Sequence, residues 1–67
     1  MKVIQITTET ALHLPGVGTL PITLFIGPKS KYPSLKLDYT TEGVKLNISN
    51  KIALIPWSQI KLAVCEE

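Results

Sequence analysis

Chemistry in this chain would have to rest on one histidine, one cysteine and a scattered set of lysines. His13 is the single side chain suited to general-base work near neutral pH. A base needs a nucleophile within reach and a carboxylate to orient it. His13 lies between Leu12 and Leu14, and nothing in its spacing supplies either partner. It reads as an ordinary loop histidine. Cys65 stands beside Glu66 near the end of an apolar stretch. Reactive thiols sit in electropositive surroundings, and an acidic neighbour works against them. Cys65 reads as a passive, partly buried cysteine. One cysteine and one histidine cannot make a zinc site, which takes about four ligands. Gly16-Val17-Gly18 lacks the preceding strand, third glycine and following helix of a dinucleotide loop, and Thr19-Leu20-Pro21 comes next instead. The expectation is a protein that is not an enzyme, with no catalytic residues, no cofactor and no metal.

Binding chemistry has better material. Lys29, Lys31 and Lys36 with Tyr32 form the basic and aromatic cluster of the chain. Lysines along a groove with bases stacked on rings are how single-stranded nucleic acid is held without much sequence preference. The ordinary meaning of such a cluster is a solvated loop. The net charge is only +2, and all seven basic residues are lysines. Without the planar arginine fork, readout of base edges is disfavoured. Trp57 follows Pro56 in a turn-forming stretch. A tryptophan there either plugs a small core or anchors an interface, and both roles are common for this residue.

The elements that must position these residues are few. A chain of 67 residues makes a single domain, taken here as 1–67. A domain of this size buries only about 60% of the surface its unfolded chain exposes. One cysteine allows no internal disulfide. Packing or self-association must supply the stability. Apolar residues make up 45% of the chain, which suits a folded globule. The run after Lys2 breaks at Thr7-Thr8-Glu9, so no leader is read, and no window approaches a membrane span. The location expected is cytoplasmic.

Period-two alternation dominates. Val3–Thr8 reads as a first strand and Leu14–Gly18, rich in turn formers, as a loop. Leu20–Ile26 reads as a second strand with Leu20, Ile22, Leu24 and Ile26 on one face, and Pro21 at its start or edge. A hairpin follows. A four-residue turn at Thr40–Gly43 sets Tyr39 opposite Val44, Leu37 opposite Leu46 and Leu35 opposite Ile48, with Tyr39 toward the core. The same register sets Asp38 opposite Lys45 on the solvent face. The next turn, around Ser49-Asn50-Lys51, leaves two registers open. A two-residue loop turns Ala53 and Ile55 inward; a three-residue loop turns Ile52 and Leu54 inward. Both faces of Ile52–Ile55 are apolar, so this strand reads as central or covered on its outer side. Pro56–Gln59 fits a single tight turn or a 3₁₀ turn. Ile60, Leu62 and Val64 then share one face of a last strand. The fold class expected is all-β, an antiparallel meander of about five strands forming a small, partly closed barrel.

The stretch Ala53-Leu-Ile-Pro-Trp-Ser-Gln-Ile-Lys-Leu resembles the 3₁₀ junction before the last strand of SH3-like barrels. Leu37–Val64, with its Asp-Tyr-Thr-Thr-Glu-Gly-Val hairpin and Ile-Pro-Trp-Ser-x-Ile segment, resembles the C-terminal half of small tailed-phage accessory proteins. The second resemblance implies a viral accessory protein acting in the host cytoplasm, with a regulatory or host-interaction role. The residues themselves point to a protein-interaction module, self-association included, with Trp57, Ile52 and Leu54 as contact residues. A single-stranded nucleic-acid binder using Lys29, Lys31, Tyr32 and Lys36 is the alternative.

Overall fold

The structure, a computed structural model, describes residues 2–66. Strands account for nearly all regular structure: β1 (Lys2–Thr8), β2 (Leu12–Leu14), β3 (Gly18–Leu20), β4 (Thr23–Phe25), β5 (Lys36–Tyr39), β6 (Gly43–Ile48), β7 (Lys51–Pro56) and β8 (Ile60–Glu66), with one 3₁₀ turn at Trp57–Gln59. All pairings are antiparallel. They form a sheet in the order β4-β1-β8, a β2-β3 hairpin and a sheet in the order β5-β6-β7. The fold is all-β, as its alternation predicts. Its ladders make three separate sheets among the described residues and do not close into a barrel.

The core draws on the two larger sheets and the β2-β3 hairpin. Val3 and Ile6 of β1, Leu20 and Leu24, Leu35 and Leu37, Val44, Leu46 and Ile48 of β6, and Ile55 of β7 are all buried. Irregularities shape it. The β1–β8 register shifts between Val3 and Gln5 and again between Thr7 and Thr8. An extra residue in one strand of a pair flips the alternation that follows it. Val3 and Ile6, three residues apart, therefore both face inward, and so does Thr8. On β8 the same effect leaves Leu62 more than half exposed and packs Ala63, the partner of Ile6, against the core. The expected shared face of Ile60, Leu62 and Val64 is thus broken.

The β5–β6 register matches the alternation: Tyr39 pairs with Val44, Asp38 with Lys45 and Leu37 with Leu46. Leu35 and Ile48 are both buried, although the ladder begins one step later, at Lys36 and Asn47. Tyr39 departs from expectation. It sits half-exposed at the open end of the sheet, its ring 5.3 Å from that of Trp57. The Leu14–Gly18 loop is the tip of a hairpin, with its two end residues in strands. Leu12 pairs with Leu20, His13 with Thr19 and Leu14 with Gly18. Positive φ at Gly16 and Gly18 lets the chain turn back between them. Leu20–Ile26 is two strands rather than one. Pro21 has no N–H to continue a ladder. Leu20 closes β3, Leu24 is buried in β4, and Ile22 between them is half-exposed rather than sharing their face.

The open register at β7 resolves to the two-residue loop. Ile48 pairs with Lys51, Leu46 with Ala53 and Val44 with Ile55. Ser49 and Asn50 both have positive φ, 48° and 65°, as a type I′ hairpin turn requires. The strand is neither central nor covered. It lies at the edge of its sheet, with Ile52 and Leu54 on the open face. Two non-glycine residues at positive φ carry strain that the favoured Asn-Gly pair avoids. Replacing Ser49→Asn and Asn50→Gly together is expected to stabilise the domain by about 1 kcal/mol, seen as a raised urea midpoint at unchanged slope.

Candidate functional site

The outer face of the β5-β6-β7 sheet has two rows. Lys36, Asn47 and Ile52 form one, and Asp38, Lys45 and Leu54 the other. Charge occupies the β5 side and apolar surface the β7 side. Ile52 is 61% exposed and Leu54 52%. They are two residues apart on one strand face, so they form a single aliphatic patch. Leaving such side chains in water forgoes roughly 1.5–3 kcal/mol each relative to burial.

Trp57 lies at the end of β7 and is half-buried. Its indole Nε1–H donates to the Thr40 carbonyl at 3.2 Å, and its backbone N–H donates to the Glu42 carbonyl at 3.2 Å. The residue ties the 3₁₀ turn to the β5–β6 turn. That turn is itself held by Thr40, whose hydroxyl donates to the Gly43 carbonyl at 2.8 Å. Trp57 packs against the core and against Tyr39, on another side of the molecule's β7 edge from the Ile52–Leu54 patch. The three contact residues read from the sequence therefore divide into a continuous pair and a pinned ring.

The basic cluster also divides. Lys29, Lys31 and Lys36 are exposed, while Tyr32 is half-buried and packs against the core. Lys31 and Tyr32 line a cleft of about 60 Å³ beside Phe25. Lys36 lines a different groove of about 450 Å³, with Lys2, Ile26 and Tyr39. Spacing along the chain brought Lys36 near Tyr32; the start of β5 carries it away to the sheet.

His13 lies on β2 rather than in a loop. Its ring nitrogen Nδ1 is 3.4 Å from the Thr19 hydroxyl across the hairpin. Cys65, expected to be partly buried, is exposed near the end of β8, where it pairs with Val3.

A groove that sequence reasoning missed runs between the β2-β3 hairpin and β7. It holds about 150 Å³ and is lined by Leu12–Leu14 on one side and Ala53–Pro56 on the other, over a floor that includes Leu20 and Leu46. The signal for it was present in Leu12-His13-Leu14, alternating residues that end at a Pro-Gly turn. Among the described residues no helix is long and apolar enough to cross a membrane. No family model, curated protein or solved structure matches this chain.

Proposed function

We propose that this chain is a non-enzymatic protein-interaction module, regulatory or accessory in role, with the outer face of β7 as its contact surface. One observation carries the reading: Ile52 and Leu54, two large aliphatic side chains, stand side by side in water on an edge strand. Unpaired edges and adjoining apolar patches are costly for a monomer and useful to a partner. A second copy of the chain is one such partner. His13 has a threonine hydroxyl as its near neighbour instead of a nucleophile–carboxylate pair, which favours binding over catalysis. The architecture reads as an SH3-like barrel left open. In support, a three-stranded meander leads through a 3₁₀ turn into a last strand that returns to pair with the first. The resemblance to tailed-phage accessory proteins agrees with a small binding module acting in a host cytoplasm.

A second reading, binding of single-stranded nucleic acid, draws on Lys2 and Lys36 along the larger groove, with half-exposed Tyr39 beside them as a ring for stacking.

One set of measurements separates the two. Wild type and the double variant Ile52→Lys, Leu54→Lys are compared by sedimentation from micromolar to millimolar concentration and by quantitative protein capture. The module reading expects association, with itself or with captured protein, that the variant weakens about tenfold or more. A strict monomer whose captured proteins match those of the variant would sink it. A saturable change in Trp57 fluorescence with an oligonucleotide, lost at physiological salt, would promote the second reading instead.

A further inference from the structure

Strands β2 and β7 each have one ladder partner among the described residues, β3 and β6 respectively. Their remaining edges face each other across the 150 Å³ groove. The lining shows that edges, not faces, meet there. A strand face presents every second residue, whereas this groove is lined by the consecutive runs 12–14 and 53–56. Both the inward Ala53 and Ile55 and the outward Leu54 contribute. The two strands run in opposite directions. At the hairpin's base the Glu9 N–H donates to the carbonyl of Gln59, just beyond the end of β7. At its tip Gly16 lies against the Lys51 side chain, at the start of β7.

We infer that this groove takes an extended peptide segment by strand addition, inserted between β2 and β7. The inference rests on the reading as a protein-interaction module and names the partner's chemistry. Two open edges offer backbone donors and acceptors on both sides of the inserted chain, which is what an extended peptide completes. The floor, with Leu20 and Leu46, calls for an apolar side chain. β7 is the longer edge, six residues against three, and antiparallel pairing is the more stable kind. The segment therefore runs antiparallel to β7 and reaches Lys51 with its C-terminal end. Lys51 is exposed and no acidic side chain lines the groove, so acidic residues at that end complement it. The occupant is an extended segment, apolar at alternate positions and acidic at its C-terminus.

The probe is the synthetic octapeptide Thr-Val-Thr-Phe-Thr-Val-Asp-Asp, titrated into ¹⁵N-labelled full chain at low salt. The expected result is saturable amide shifts concentrated in Leu12–Leu14 and Lys51–Pro56, with slower hydrogen exchange along β7. Peptides N-methylated on either alternate set of amides lose one of the two ladders, and affinity is expected to fall about tenfold or more. Lys51→Glu, checked for an otherwise unchanged spectrum, is expected to weaken binding several-fold. Equal binding of methylated and unmethylated peptides would overturn strand addition in favour of side-chain docking and leave the module reading standing. No shift in β2 or β7 at millimolar peptide would also overturn it. The sedimentation and capture comparison of the Ile52 and Leu54 variant would then still decide the module reading by itself.

Discussion

Gly43→Ala is expected to leave the domain largely unfolded at room temperature. Gly43 begins β6 and pairs with Pro56 at the end of β7. A Cβ built on it would lie 2.0 Å from the Ile55 carbonyl oxygen and 2.8 Å from both the Ile55 carbonyl carbon and the Pro56 Cα. All three atoms are backbone, so no side-chain rotation relieves the clash. β7 would have to move off β6 where Ile55 is buried and Trp57 is tied to the β5–β6 turn. Overpacking costs about 1–3 kcal/mol even where side chains can yield, and more where they cannot. A single core in a domain this small rarely supplies more than about 3–5 kcal/mol. Far-UV circular dichroism and urea unfolding decide it. A midpoint close to that of wild type would show that the two strands can separate locally at little cost.

Ile6→Ala is expected to be nearly as damaging, by another mechanism. Ile6 is fully buried in β1, the central strand of its sheet, opposite Leu24 in β4 and Ala63 in β8. Its truncation removes transfer energy and leaves a cavity. The surroundings cannot close on that cavity, because ladders on both sides hold the backbone. The loss expected is about 2–5 kcal/mol, against about 0.5–1.5 kcal/mol for Ile6→Val. Both are measured by urea unfolding followed through Trp57, the single tryptophan. A loss below about 1 kcal/mol for the alanine variant would mean that the β1 environment collapses around the gap.

Both substitutions strike places where sequence reading was only partly informative. A glycine at the Thr40–Gly43 turn was legible, but it read as a turn residue. The structure adds that its bare Cα lets the carbonyl of Ile55 approach. Ile6 was legible as part of a strand. Simple alternation would have set it on the face opposite Val3, and the register shift in β1 brings both inward. The candidate surface follows the same division. Two apolar faces on Ile52–Ile55 were plain in the sequence. Which face meets water depended on one residue of loop length, and Ser49 and Asn50 decide that by adopting positive φ.

The sequence by itself determined the all-β class, the Leu37–Leu46 hairpin with its Asp38–Lys45 pair, and a tight turn at Trp57. Each is local: alternation, cross-strand charge and turn formers act within about ten residues, and there they all agree. Tertiary structure alone decided the rest. The edge position of β7, the exposure of Leu62, the division of the lysines between two grooves, and the slot between β2 and β7 all depend on pairings between distant segments. Such pairings shift by one residue at a bulge, and a one-residue shift exchanges the inner and outer faces of a strand. Nothing in local periodicity records where that shift occurs.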